Sequence, residues 1–557
     1  MPWTPEPELL TSMDTSIPAI LASQKENGQF GTGPWISTDQ NVLLALAAAW
    51  SLEDSHYYGD EAVLAAIVQG GHALIDAQDG AGMFTFRKKD HSTWGQIYMP
   101  WVYSRWIRAY WLTRDAFGAD DRERWDASLV HAYTGISETC FGRVHNIPAH
   151  HAMGLYFAGE VLSRQAWTDQ AVAFGHQVAE AQSEHGWWPE HDGPVVSYNF
   201  VYSDALGTLY KMSGDETLLA SLERAAKFHA AFAYPDGSMV EAIDGRNWYH
   251  DAVRPGNPGF SHTPEGRGFL EQQHGRLIAK YQSDGNSGSV FDADYAATML
   301  LHAGEGESVP TAAASESNRY DMGDLATVVR RRPWFFCANA FRQDPHDNRW
   351  GQDWQNFVSV YHDRAGLVLG GGNTKKQPLW SNFTFGDTSL LKHTPGEEEP
   401  EFLVEGLLHV PDRAEVQVSD TVGVRLTYGS AVCEVTVFER GDDELGIAYH
   451  CDPGQEQNAE GHVTLLAKLG ERLKLSTGDA IPLGEQPFAW SVPGEAGFAE
   501  HNGWRLLLPT GARIEWPALP HDPYKKGGEP EPKDGRIVVC LPIAASQDRY
   551  EMVLQIL

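Results

Sequence analysis

The sequence predicts a multidomain chain, α then β: an incomplete (α/α) toroid followed by an antiparallel β-sandwich. Two changes of texture predict it. From about Ile17 to Gly304, apolar residues recur at three-to-four spacing, the period of helices that bury one face. Beyond residue 325 the runs shorten, fill with β-branched and aromatic residues, and end at Gly, Asp or Pro, as sandwich strands do. A third observation is length: 557 residues exceed what one hydrophobic core organises, so at least two domains are expected.

The helical part can be taken in order. NVLLALAAAWSLE, EAVLAAIVQGGHALIDAQ, WVYSRWIRAYWLTRDAF, RERWDASLVHAY, HHAMGLYFAGEVLSR, TDQAVAFGHQVAEAQ, YSDALGTLYKMSG, ETLLASLERAAKFHAAF and FLEQQHGRLIAKYQ each carry an apolar stripe. Short breaks such as DGAG, SGDE and YPDG separate them. Paired hairpins without a fixed sequence period point to a toroid rather than a strict solenoid. We place this domain at 1–310. Residues 311–325 are small, polar and unpatterned, and read as a linker. The strands follow over 326–557, among them WFFCANAF, NFVSVYH, VGVRLTYG, AVCEVTVFE, ELGIAYHCD, GRIVVCLPIA and YEMVLQIL.

Composition narrows the partners. A net charge of −33 argues against nucleic acid, which needs a basic face, and requires any polyanionic substrate to find a local basic patch. Aromatics make up 11% of residues, with 19 Trp and 20 Tyr, enough for both helix interfaces and sugar-stacking platforms. No apolar run reaches the length of a membrane span, and the N-terminus MPWTPEPELLTSMDTS lacks the basic and apolar regions of a signal peptide. Five cysteines without metal spacing read as free thiols of a reducing compartment. The expectation is a cytoplasmic enzyme without metal or cofactor. Oligomeric state is not legible.

Chemistry-bearing residues concentrate between Glu184 and His250. EHGWWPEHDGPVVSYNFVYSDALG holds Trp187, Trp188, His191, Tyr198 and Tyr202; IDGRNWYH holds Arg246 and His250. One helical hairpin earlier, HNIPAHH supplies Asn146, His150 and His151. A base, an acid and donors for developing negative charge are what proton removal beside a carboxylate requires. Packing is the competing account: Tyr198 and Tyr202, four apart, also suit two rings on one helix face, and Arg246 also suits an ion pair with Asp236 or Glu241. Arg330, Arg331 and Arg332 read as a solvated run. GLVLGGGNTKK lacks the spacing of a phosphate loop, and no G-x-S-x-G elbow occurs.

These segments resemble the polysaccharide lyases of the hyaluronate/chondroitin AC lyase type and, more loosely, heparinase II/III and alginate lyases. HDGPVVSYNFVYSDALG is similar to that family's His followed by two tyrosines; IDGRNWYH to its Gly-Arg-x-x-x-Arg segment, with His250 where the second Arg would stand; and YDMGDLATVVRRRPWFFCANAF to its entry into the sandwich. The resemblance implies a lyase cleaving a uronate-containing oligo- or polysaccharide by β-elimination. Tyr202 would transfer the proton, with His191 as alternative base; Asn146 and Arg246 would neutralise the carboxylate; His150, Tyr198, Trp187, Trp188 and His250 would bind substrate. In a cell interior the substrate would be oligosaccharides or chain ends. The alternative is a glycoside hydrolase using two of Glu190, Asp192, Asp204, Glu241 and Asp244. A third reading is a non-catalytic glycan-binding protein.

Overall fold

The computed structural model describes residues 2–87, 92–190, 193–249, 252–286, 288–394, 396–397, 400–494 and 496–557, with the backbone alone at 526. It divides into two compact units. The helical unit comprises Met1–Trp188, Ser197–Ala230 and Pro255–Pro310; the sheet unit comprises Pro189–Val196, Ala231–Arg254 and Thr311–Leu557.

Among the described residues there are eleven α-helices: α1 Pro7–Ala22, α2 Val42–Ser51, α3 Glu61–Ala77, α4 Pro100–Thr113, α5 Ala119–Thr139, α6 Asn146–Val161, α7 Gln165–Glu180, α8 Val196–Ser213, α9 Leu219–Ala231, α10 Pro264–Ser283 and α11 Ala293–His302. Their starts follow local chemistry. Asp60, Thr263 and Asp292 accept hydrogen bonds from the first exposed amides of α3, α10 and α11, and proline opens α1, α4 and α10 where its missing N–H costs nothing. Helix α2 packs against α4 and α4 against α6, α3 packs against α5, and α11 meets both α1 and α2. Alternate helices therefore neighbour each other, the arrangement of an α/α toroid.

Much of the tryptophan is core. Trp106 of α4 and Trp125 of α5 meet edge to face at 5.6 Å, with Tyr110 and Phe117 against the latter ring. Gly71 admits that ring, since a Cβ there would lie 1.8 Å from Trp125. Helix α1 begins ten residues before the apolar period that marks the domain, because Pro7 and Pro18 obscure its pattern.

Among the described residues the sheet unit contains two large antiparallel sheets, besides the two-stranded pairing of Pro189–Glu190 with Gly193–Pro194. One runs Phe488–Ser491, Arg513–Ala518, Arg536–Pro542, Ala459–Leu466, Gly366–Leu369, Val358–His362, Trp334–Asn339, Ala326–Arg331, Ser317–Met322, with Phe383–Gly386 pairing off Ala459–Leu466. The other runs Arg413–Val418, Val422–Tyr428, Ala431–Gly441, Glu444–Asp452, Arg549–Ile556, Trp504–Pro509, Ala496–His501, Arg472–Leu475, Ala480–Pro482. Strand Trp334–Asn339 of the first packs on Arg413–Val418 and Val422–Tyr428 of the second, making a sandwich.

Three expectations change. The stretch 311–325 is not an unstructured linker: Ser317–Met322 pairs in register with Ala326–Arg331, turned by Gly323 at φ +54°. Residues 189–196 and 231–254 cluster with the sheets rather than the toroid. Arg330 is not solvated; it is buried, and its guanidinium donates twice to Asp363 at 2.9 Å, while Arg332 is the exposed member of the run.

Candidate active site

In the helical unit the site begins with a turn. The Gly186 N–H donates to the Ser183 carbonyl at 3.0 Å and the Ser183 N–H to the Trp187 carbonyl at 2.9 Å, and Gly186 sits at φ +94°, where a Cβ would lie 2.1 Å from the Arg224 carbonyl oxygen. The turn delivers Trp188 to α8. There the fully buried Asn199 grips the Trp188 backbone from both sides: the Trp188 N–H donates to Asn199 Oδ1 at 2.6 Å, and Asn199 Nδ2 donates to the Trp188 carbonyl at 3.2 Å. Trp188 Nε1 donates to the Val178 carbonyl at 2.8 Å, so the ring is fixed at its edge as well.

This clamp gives the two tyrosines different burial. The Trp188 indole stacks on Tyr202 with centroids 5.0 Å apart and planes 9° off parallel, and Tyr202 is 1% exposed. Tyr198, one turn earlier on α8, is half-buried. The spacing thus places both phenols on one side of α8 but leaves only Tyr198 accessible. Trp187 is half-buried and Trp188 buried.

Helix α6 opens with Asn146, half-buried at its first position. One turn on, His150 is buried with Nε2 2.8 Å from Ser104 Oγ and its ring edge-on to Trp101 at 5.1 Å. Burial holds His150 well below the ordinary histidine range, and Arg105 and Arg108 push it the same way, so it is neutral at pH 7. His151 turns to the Tyr98 carbonyl at 3.0 Å, and burial brings it down to about 4.

Beneath His150 lies a charged layer absent from the sequence reading. Arg105 forks onto Asp294 of α11, with Nη2–Oδ2 2.6 Å and Nε–Oδ1 2.7 Å. Arg108, buried, donates from Nε to the Ser104 carbonyl at 3.0 Å. Asp204 of α8 faces both arginines; burial raises its carboxyl, and the two cations oppose that rise. The available signal was the pair of arginines three apart on the apolar face of WVYSRWIRAYW, where an unpaired charge would be costly.

In the sheet unit, IDGRNWYH folds around Asp244. Its carboxylate accepts from the backbone N–H of Arg246 (2.8 Å), Asn247 (2.9 Å) and Val196 (3.0 Å). Glu241 accepts from Tyr234 Oη at 2.6 Å and from the Gly371 N–H at 3.0 Å, and burial raises its carboxyl. Arg246 has no ion pair with Asp236 or Glu241 among the described residues. Its guanidinium lies 5.1 Å from the Trp350 ring centroid and 5.6 Å from that of Tyr524, and Arg349 lies over the same Trp350 ring at 4.4 Å. Trp350, Tyr524 and Arg349 are half-buried. None of these three is marked by its local sequence. His191 and His250 lie outside the described residues, as does Asp192.

The glycine run before Lys375 is structural. Lys375 is fully buried on Asp353 at 3.0 Å, with His409 on the other carboxylate oxygen at 3.0 Å, and Lys376 pairs with Glu397 at 2.9 Å. Among the described residues one group has metal-ligand character: Glu460, His462 and Cys540, with donor atoms within 4.8 Å of one another. Its Glu460 already pairs with His462 at 3.0 Å and Arg513 at 3.3 Å. No described helix is long and apolar enough to cross a membrane.

Toroid helices followed by antiparallel sheets are a fold found among solved polysaccharide lyases. The chain is similar to three of these structures. A chondroitinase AC lyase, described with enzyme–oligosaccharide complexes, aligns over 98% of this chain and 81% of its own at 15% identity, TM-score 0.54. A heparinase III aligns over 100% and 85% at 12% identity, TM-score 0.54. A Paenibacillus xanthan lyase aligns over 99% of this chain and 57% of its own at 12% identity, TM-score 0.54. At such identities the likeness is one of fold. In sequence, the chain matches no protein-family model and no curated protein.

Proposed function

We propose that the protein is a lyase that cleaves a uronate-containing glycan by β-elimination, with Tyr198 in the proton-transferring role that the sequence alone gave to Tyr202. The observation that carries this reading is the pair of tyrosines at the start of α8, one accessible and one sealed under Trp188. The fold shared with a chondroitinase, a heparinase and a xanthan lyase supports the reaction class.

In this mechanism Tyr198, as phenolate, takes the C5 proton of the uronate. The electron pair forms the C4–C5 double bond, the C4–O4 bond breaks, and the Tyr198 phenol so formed returns its proton to O4 as the leaving hydroxyl. Charge developing on the carboxylate is met by the amide of Asn146. His150, neutral and held by Ser104, supplies a donor or acceptor without adding charge. The sheet unit by itself carries a second surface suited to an acidic sugar ring, Arg246 and Arg349 against Trp350 and Tyr524, where stacking and positive charge combine. Two carboxylates of the hydrolase alternative are engaged by hydrogen bonds, Asp244 by three backbone amides and Glu241 by Tyr234 and Gly371, and Asp204 is buried facing Arg105 and Arg108, which weighs against that reading. Attack on oligosaccharides or chain ends, rather than polymer interiors, completes the proposal.

The test is absorbance of the unsaturated uronate during incubation with a panel of uronic-acid glycans. Wild type and Tyr202→Phe should both produce it, while Tyr198→Phe should lose about 10²–10⁴-fold in kcat, the usual worth of a general acid–base group. Reducing sugar without the absorbance would move the case to hydrolysis. A collapse in Tyr202→Phe with Tyr198→Phe active would reverse the assignment. Rapid viscosity loss of a polymer substrate would contradict chain-end action.

A further inference from the structure

The sequence shows five cysteines and no spacing that pairs them. The sheet register does pair two. Cys433 on strand Ala431–Gly441 lies directly opposite Cys451 on strand Glu444–Asp452, and the two strands are joined by a tight hairpin. The Cys451 N–H donates to the Asp548 carbonyl at 2.9 Å, on the other side of its strand. Since the N–H and C=O of a strand residue point the same way, the Cys433–Cys451 position carries no hydrogen bond between the two. At such positions Cα atoms approach to about 4.5 Å, inside the roughly 4.4–6.8 Å that a disulfide spans. Both side chains are buried and their Sγ atoms are 3.2 Å apart as thiols. Of the others, Cys140 ends α5 in the helical unit, and Cys337 and Cys540 sit on non-adjacent strands of the other sheet.

We propose that Cys433 and Cys451 are a disulfide-forming pair, oxidised by exchange with a small-molecule disulfide such as glutathione disulfide while the hairpin is still open. One thiolate attacks the glutathione disulfide and releases glutathione, forming a mixed disulfide. The second thiolate attacks the protein sulfur and releases the second glutathione. The protein loses two protons and two electrons; the glutathione gains both. Timing follows from burial: in the closed sheet neither sulfur is exposed, and burial, reinforced by the contact with Cys451, pushes the Cys433 thiol up. The folded chain therefore keeps whichever state it acquired during folding. The bridge would close a loop across 18 positions and restrict the unfolded chain. Cysteine count alone pointed to a reducing compartment; this pair fits an oxidising one equally.

The experiment produces the full chain, carrying Cys140→Ser to remove the half-exposed thiol, in a reducing and in an oxidising bacterial cytosol. Free thiols are blocked with iodoacetamide in denaturant, the protein is digested without reductant, and cysteine peptides are mapped by mass. The expected result is a linked Cys433–Cys451 peptide, two hydrogens lighter than its parts, from the oxidising host only. That form should melt at a higher temperature than the reduced one, and Cys433→Ala with Cys451→Ala should melt alike from both hosts. Alkylated Cys433 and Cys451 from an oxidising host that oxidises a co-expressed disulfide protein would overturn the proposal. So would linkage of either cysteine to any other partner.

Discussion

His229 provides a quantitative test of the helical unit. It is fully buried near the end of α9, with ring centroids 4.6 Å from Phe200, 5.0 Å from Phe228 and 5.1 Å from Phe260. Neither ring nitrogen has a hydrogen-bond partner among the described residues. Burial alone drives it from 6.5 down to about 3. The sign follows directly: between these values the unfolded chain binds a proton that the folded chain refuses, so stability falls as pH falls from 6.5 toward 3. At pH 5 this one residue costs about 2 kcal/mol, since each pH unit below 6.5 is worth about 1.4 kcal/mol. His151 and His274, both brought to about 4 by burial, act in the same sense. The three together remove about 6 kcal/mol at pH 5, comparable with the whole stability of a domain, about 5–15 kcal/mol. Urea unfolding of wild type and His229→Leu, followed by helical circular dichroism from pH 7.5 to 5, measures the term. The variant should be as stable or more stable at pH 7.5, because two unbonded polar atoms leave the core. Its advantage should then widen by about 2 kcal/mol by pH 5. An advantage that stays constant across this range would refute the reasoning.

Two further outcomes follow from the site. Asn199→Ala leaves the Trp188 N–H and carbonyl without their buried partners, and should cost about 3 kcal/mol with a red shift of tryptophan emission; unchanged unfolding would mean that water replaces the amide. Arg246→Lys keeps the charge but weakens the contact with Trp350 and Tyr524, and should raise KM for an acidic glycan about tenfold with kcat nearly unchanged; an unaltered KM would remove the platform from substrate binding.

What the sequence made legible was what is local. Apolar period located the toroid helices, and β-branched runs located strands such as Ala431–Gly441 and Arg536–Pro542. What escaped was set at a distance. The short strands Phe383–Gly386, Arg472–Leu475 and Phe488–Ser491 carry too few residues to establish alternation, and exist because neighbours pair with them. Recruitment of 231–254 to the sheet unit depends on contacts such as Tyr234 Oη to Ser359 Oγ at 2.8 Å, across 125 positions. The difference in burial between Tyr198 and Tyr202 comes from Trp188, which is fixed by an asparagine eleven positions away. Spacing put the tyrosines on one face; it could not say which of them another ring would cover.

Charge shows the same division between count and place. The net −33 bears on nucleic acid, and it also implies that an acidic glycan must be met by concentrated cations. Yet Arg105, Arg330 and Lys375 are engaged internally, with Asp294, Asp363 and Asp353. These pairs neutralise charge within the fold and offer little to a ligand. Arg246 and Arg349 both lie over the ring of Trp350, at 5.1 and 4.4 Å from its centroid, beside a flat apolar surface. The pairing of these two cations over one ring comes from folding two distant loops of the sheet unit together rather than from any basic stretch of sequence, which is why composition alone did not show it.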